Sequence, residues 1–270
     1  MRRIVRLASV LAVTGALGSA LAATAWAVPM RRRGRYRSEF LRAWSRAICV
    51  LTGIRVDVVG GTPGKGPWMA VSNHLGYMDI PVLGSVLAGT FVSKAEVARW
   101  PVVGRLSKLA GTVFCDRERR TAAGDFANEV AARLQAGERV VLFPEGTSSR
   151  GEGILPFKST SFGAVAGMPE RSVVPVHVDV VEINGEPAVG SLRDAVCWHG
   201  DALFAPHVFR LLGLRDIRYR VVIGAAIACR EIDRKRLAAA VHGEVAALAA
   251  ISARRRPLPP GDFVRVQPLP

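Results

Sequence analysis

His74 and Asp79 stand five positions apart in the segment Ser72-Asn73-His74-Leu75-Gly76-Tyr77-Met78-Asp79, where an apolar, strand-like run ends. An imidazole held by a carboxylate can take a proton from an alcohol near neutral pH, because the carboxylate fixes its tautomer and steadies the imidazolium. The pair is therefore a candidate general base. Its spacing alone proves little, since it arises by accident in roughly one chain in five of this make-up. A surface histidine beside a helix-capping aspartate accounts for it equally well. Metal ligation fits poorly: Cys49, Cys115, Cys197 and Cys229 lie far apart and no second histidine is near.

Two further clusters end strand-like runs. Phe114-Cys115-Asp116-Arg117 closes one with a guanidinium, whose planar fork suits a phosphate or carboxylate. Phe143-Pro144-Glu145-Gly146-Thr147-Ser148-Ser149-Arg150 closes another, joining a glycine turn with hydroxyls and a carboxylate. In an α/β sheet the carboxyl ends of the strands are where ligands gather, so loops bearing His74, Arg117 and Glu145 could converge on one cleft. A solvated charge is the alternative account of Arg117.

The elements that must position these residues alternate. Strand patterns cover 54–59, 68–71, 90–93, 112–115, 139–143, 172–178 and 218–223. Helical patterns cover 80–88, a run from Phe126 to Leu134 that stops at Gly137, and an alanine-rich stretch at 233–252. The order implies an α/β domain. With 270 residues, half of them hydrophobic, the chain can bury a sizeable core. Its scattered cysteines suit a reducing compartment. No repeat or long linker is visible, so the expected division is N-terminal membrane-associated helices at 1–52, a catalytic domain at 53–256 and a Pro-rich tail at 257–270.

A formal charge of +15 calls for a polyanionic partner or an anionic surface. Nucleic acid is disfavoured, because the basic residues are dispersed, aromatics make up only 7% and no recognised binding motif occurs. A membrane fits better. Residues 7–30 carry no charge, between Arg2, Arg3 and Arg6 on one side and Arg31, Arg32, Arg33, Arg35 and Arg37 on the other. Ala25-Trp26-Ala27 resembles a signal-cleavage site, but the arginine cluster after it opposes translocation and places it on the cytoplasmic side. The small residues of this segment leave open a full span or a shallow helical hairpin. The pattern at 38–52 is an amphipathic helix, either interfacial or packed on the core.

Taken together, the motifs resemble those of the 1-acyl-glycerol-3-phosphate acyltransferases and the wider glycerolipid acyltransferase superfamily. Asn73-His74-x4-Asp79 is similar to the first of four ordered blocks, Phe114-x2-Arg117 to the second, Phe143-Pro144-Glu145-Gly146-Thr147 to the third and Val174-Pro175-Val176 to the fourth. The resemblance spans about 68–178 by motif. It implies a mixed central sheet flanked by helices, with His74 as base, Asp79 orienting it, and no covalent acyl-enzyme. No Gly-x-Ser-x-Gly elbow occurs, in keeping with that. By the same analogy Arg117 meets the acceptor phosphate, Glu145, Gly146 and Thr147 shape the glycerol pocket beside Asn73, and Lys94 matches a commonly basic position.

One departure bears on the acceptor. Phosphatidate-forming enzymes usually place arginine after the threonine of the third block, whereas here Ser148 and Ser149 come before Arg150. Arg150 could serve from two positions on. Phe157-Lys158-Ser159-Thr160 also departs from the usual Phe-Lys-x-Gly. The expected acceptor is lysophosphatidate, the alternative a lyso-ornithine lipid. The donor is acyl-CoA or acyl-carrier protein, with no cofactor besides. Membrane lipids are the expected surroundings, at the cytoplasmic face of the inner membrane, and nucleic acid is not an expected partner. Two rivals remain: a surface binder without catalysis, and a thioester hydrolase using the same pair with water. Trp198-His199-Gly200-Asp201 and Pro206-His207 read as a structural loop or as lining of the acceptor groove.

Overall fold

The computed structural model describes residues 1–61, 63–64, 66–101, 103–115 and 122–254. In chain order its elements are α1 (Arg2–Thr24), α2 (Met30–Thr52), β1 (Ile54–Val59), β2 (Met69–Ser72), α3 (Asp79–Leu87), β3 (Thr90–Lys94), α4 (Val103–Leu109), β4 (Val113–Cys115), α5 (Ala122–Gln135), β5 (Val140–Leu142), β6 (Ser172–Ile183), β7 (Glu186–Pro187), α6 (Phe204–Leu211), β8 (Ile217–Ile223), β9 (Ile227–Ala228) and α7 (Arg234–Arg254). Arg117 and the Pro-rich end at 257–270 fall outside the described residues.

The strands form one mixed sheet in the order β1-β8-β6-β2-β5-β3-β4, with β7 and β9 pairing on β6. β2 lies at its centre, parallel to β5 on one side and to β6 on the other. Both faces of β2 are covered. Ala70 enters the core formed with α2 and α3, while Met69 and Val71 enter the one formed with α5 and α7. This double burial explains the continuous apolar run that marks β2 in the sequence. After β2 the chain winds through β3, β4 and β5 on one side before crossing to β6 on the other. Such a switch leaves a crevice at the carboxyl ends of the central strands.

The sheet and helices expected from the alternating pattern are present, with instructive differences. β6 runs to Ile183, past the expected end at 178, because its second half pairs antiparallel with β8. Helix α2 starts at Met30, eight residues before the amphipathic pattern at 38–52. Arginine is a good helix former, so the basic stretch carries the helix back to Pro29. The inner face of α2 buries Ser45, Ile48, Cys49 and Thr52, and Ile48 and Cys49 share the core beneath α3. Arg31, Arg32 and Arg35 stay exposed. Helix α2 is thus a core-packing helix on one side and a basic surface on the other. The short strands β7 and β9 and the helix α6 carry too little periodicity to be read from sequence.

Helices α1 and α2 form a hairpin around a short turn at Ala25–Ala27. The Trp44 indole N–H donates to Thr14 Oγ1 at 3.0 Å and the Tyr36 hydroxyl to Thr24 Oγ1 at 2.7 Å. Leu21 is the one buried residue of α1. The segment Arg2–Ala27 is long and apolar enough to cross a bilayer. Its first turns are tied down: Arg6 donates to the carbonyls of Leu212, Leu214 and Arg215, just past α6.

The end of β2 is finished by a side chain. The parallel ladder stops at Ser72 opposite Val176. Beyond it Asn73 Nδ2 donates to the Val178 carbonyl at 2.9 Å, and Oδ1 accepts the Val178 N–H at 2.9 Å. The carboxamide thus stands in for one more peptide pair and lets the backbone leave the sheet at His74. Replacing Asn73 with Ala would leave both Val178 groups unsatisfied, and should destabilise the fold by about 2–4 kcal/mol. Denaturant unfolding checks this, with loss of less than about 0.5 kcal/mol contradicting the staple.

Candidate active site

Asp79 opens α3 with no exposed surface, and its Oδ2 gathers three donors. His74 Nδ1 lies 2.7 Å away, and the backbone N–H groups of Leu75 and Gly76 donate at 2.6 and 3.0 Å. Because a carboxylate only accepts, Nδ1 carries the hydrogen and the lone pair resides on Nε2. The His74 ring stacks on Phe143, with centroids 4.1 Å apart and planes tilted by 17°. Its side chain keeps 23% exposure, enough for Nε2 to meet a substrate hydroxyl. An imidazole fixed on one edge by a carboxylate and on one face by a phenyl ring is built for proton transfer at the remaining nitrogen.

The loop after β5 supports this arrangement from beside it. Glu145 is buried, with Oε2 accepting the His74 N–H at 3.0 Å and Oε1 the Leu155 N–H at 2.9 Å. Burial pushes its carboxyl from 4.5 up to about 7, against the downward pull of the two N–H groups. Ser149 N–H donates to the His74 carbonyl at 2.9 Å, so both backbone polar groups of His74 are held by this loop.

A third wall comes from 193–199, whose Trp198 and His199 belong to the stretch that the sequence reads as a structural loop or as lining of the acceptor groove. Trp198 N–H donates to the Leu75 carbonyl at 2.8 Å, and the Ser148 hydroxyl donates to the Trp198 carbonyl at 2.5 Å. Gly76, at φ 153°, lies so close that a Cβ there would sit 2.8 Å from Trp198 N. The buried Arg193 guanidinium donates to the carbonyls of Arg150, Val180 and Ala188 and to Asp179 Oδ1, clamping the walls together.

The expected site residues separate into groups. His74 and Asp79 are brought into direct contact, as their spacing predicts. Asn73 and Glu145, expected at the substrate, have their polar atoms engaged by backbone groups and hold the loop instead. Gly146 turns the chain at φ 77° and Thr147 is exposed beside it. Arg150 pairs with Asp194, Nε to Oδ1 at 2.8 Å and Nη2 to Oδ2 at 3.0 Å, and His199 Nε2 lies 2.9 Å from the same Oδ1. These partners, hydrogen bonding from His199 first, hold the Asp194 carboxyl below the usual range. Lys94 is exposed at the end of β3, two strands from β2. No sequence spacing announces the partnership of Arg150 with Asp194, because 44 residues separate them.

Comparison with known proteins agrees with this geometry. A family model described as Acyltransferase matches residues 54–179, the span holding His74, Asp79 and Glu145. The lyso-ornithine lipid O-acyltransferase of Brucella abortus is 34% identical over 237 residues, covering 85% of this chain and 89% of that protein. The chain belongs to the lysolipid acyltransferase family. A 1-acyl-sn-glycerol-3-phosphate acyltransferase of Neisseria meningitidis is 28% identical over 183 residues, covering 67% of this chain and 69% of its own length. The crystal structure of the 1-acyl-sn-glycerophosphate (LPA) acyltransferase PlsC from Thermotoga maritima shares the fold. The two superpose with a TM-score of 0.68 at 19% identity, over 96% of this chain and 100% of that one.

Two outcomes follow for this acyltransferase. Asp79→Asn, which weakens the hold on Nδ1–H, should lower kcat by about 10²–10⁴-fold with the acceptor KM little changed. Steady-state kinetics would contradict the orienting role if kcat fell less than about threefold. For Glu145, a folded value of about 7 above an ordinary 4.5 means that its contribution to stability is full below 4.5 and lost as pH rises through 7. Glu145→Gln should abolish that slope in unfolding curves taken across the window, and an unchanged slope would assign it to another group.

Proposed function

We propose that this acyltransferase moves a fatty acyl group from a thioester donor, acyl-CoA or acyl-carrier protein, to the free hydroxyl of a lysolipid. The observation that carries the reaction is the 2.7 Å pairing of His74 Nδ1 with the fully buried Asp79, which leaves Nε2 as the base. Nε2 takes the hydroxyl proton as the oxygen attacks the thioester carbonyl. The new C–O bond forms, the C–S bond breaks, and the imidazolium returns its proton to the departing thiolate. Neither a serine nucleophile nor a cofactor enters this scheme. Because the acceptor resides in a bilayer and the donor in the cytosol, the catalytic domain works at the cytoplasmic membrane face, with the basic start of α2 toward anionic headgroups.

The favoured acceptor is a lyso-aminolipid of the ornithine type. An ornithine headgroup carries both an ammonium and a carboxylate, and the side of the site at Arg150 offers the matching pair of charges, a guanidinium beside Asp194. A phosphate acceptor would meet the Asp194 carboxylate as well as the guanidinium, a like-charge contact that an ammonium turns into attraction. The relatives lean the same way, since the lyso-ornithine lipid enzyme matches at higher identity and over more of the chain. Lysophosphatidate is the second reading, and the Neisseria relative supports it.

Incubating detergent-purified protein with labelled acyl-CoA and either acceptor tests both layers. Acylated ornithine lipid should form faster than phosphatidate, and exclusive formation of phosphatidate would reverse the order. Thioester cleavage that ignores every lysolipid would make the protein a hydrolase. Asp194→Asn, which releases Arg150, should shift the ratio toward lysophosphatidate by about tenfold. An unmoved ratio would remove this pair from headgroup selection.

A further inference from the structure

Beside the catalytic loop, four aromatic side chains form a wall that the mechanism above does not use. Tyr77, three residues after His74, donates its hydroxyl to His207 Nδ1 on α6 at 2.8 Å, and His207 Nε2 donates in turn to the Asp194 carbonyl at 3.1 Å. Phe204 lies 5.1 Å from Tyr77, 5.3 Å from Trp100 and 5.9 Å from Trp198 by ring centroids. The inner face of α6 is therefore fastened directly to the loop that carries the base.

Its outer face is apolar and bare. Leu203 is 73% exposed and Phe209 42%, with Ala205 and Pro206 exposed between them. This surface is continuous with α1. Arg3 places its guanidinium 5.3 Å from the Phe209 ring centre, Arg6 holds the carbonyls that follow α6, and Ile4 and Val5 of α1 are 66% and 57% exposed. An apolar patch flanked by the exposed Arg2 and Arg3 and joined to a helix long enough to cross a bilayer matches a lipid surface: acyl chains for the leucine and phenylalanine, phosphates for these two guanidinium groups.

We propose that the outer face of α6 inserts into the membrane interface beside α1, so that the lysolipid passes from the bilayer over the wall of Tyr77, Phe204 and Trp198 to His74. The proposal rests on the lysolipid reading of the function and names the side from which that substrate arrives. Lipid is the committed occupant. A docking site for an acidic carrier protein would be rimmed by the same charges, but the exposed leucine and phenylalanine and their continuity with α1 favour acyl chains.

The test uses the full-length protein with two physical forms of acceptor. One is a long-chain lysolipid in mixed phosphatidylcholine and phosphatidylglycerol vesicles, the other a short-chain lysolipid dissolved below its critical micelle concentration. Leu203→Glu and Phe209→Glu should raise the apparent KM for the vesicle-borne acceptor by about tenfold to a hundredfold, leaving kcat with the dissolved acceptor unchanged. Leu203→Trp should retain activity on vesicles and add a fluorescence component, beyond that of the wild type, that is quenched by lipids brominated in their acyl chains. Equal activity of the glutamate variants on vesicles, or an unquenched added tryptophan, overturns the proposal. A rise in KM for acyl-carrier protein alone does so as well, and makes α6 a donor dock. If wild-type protein acylates neither acceptor, the proposed function fails instead, a result separable from failure of α6 to insert.

Discussion

A carboxylate with no exposed surface imposes order on everything around it. Asp79 lies where water cannot reach, and a buried carboxylate without partners would cost several kcal/mol. The solution is local: three donors converge on Oδ2, two of them backbone N–H groups from the loop that carries His74. Satisfying the charge therefore shapes that loop, sets the start of α3 and selects the histidine tautomer together. The fixed orientation of the His74 ring is a by-product of solving a burial problem. The same economy explains why the pair is five residues apart: the loop must return on itself for Leu75 and Gly76 to point at the carboxylate.

The surrounding motif residues act mainly on backbone. Asn73 replaces a peptide pair at the end of β2, Glu145 holds the His74 N–H, Ser149 holds its carbonyl, and Trp198 seals the loop from the far side. A base must be kept within a fraction of an ångström of its productive position, and that precision comes from rigid supports rather than from the base itself. Polar residues crowd this motif region, and among them His74 keeps a partly exposed ring, with 23% of its side chain exposed. Arg150 illustrates the opposite case. A guanidinium that looks available for an anion in the sequence is paired with Asp194 in the fold.

The high positive charge is likewise divided by the fold. Arg6 caps carbonyls beyond α6 and Arg193 binds the walls of the site together, so neither adds to a binding surface. The exposed arginines of α2 lie on the side away from the core, next to an apolar helix with one buried residue. Such a distribution suits a membrane surface better than an extended polyanion, because the basic and the apolar exposed surfaces belong to the same helical hairpin.

What could be read from sequence was whatever local spacing and periodicity encode. The apolar runs gave β2 and β5 because a strand buried on both faces leaves an uninterrupted hydrophobic signature. His74, Asp79 and Glu145 stood out because each follows such a run. The stretch 30–37 was read as a charged flank rather than as helix, since its pattern lacks an apolar stripe. Helix α6 went unread because eight residues hold too few turns to show a period. By itself, then, the sequence determined the pairing of His74 with Asp79, the alternating α/β order and the apolar N-terminal segment. Only the tertiary structure decided that Asn73 and Glu145 support the backbone, that Arg150 is paired with Asp194, and that α6 is fastened to the loop carrying His74. Those are contacts between residues 44 to 130 positions apart, which no local pattern records, and sheet register and loop closure alone bring them within hydrogen-bonding reach.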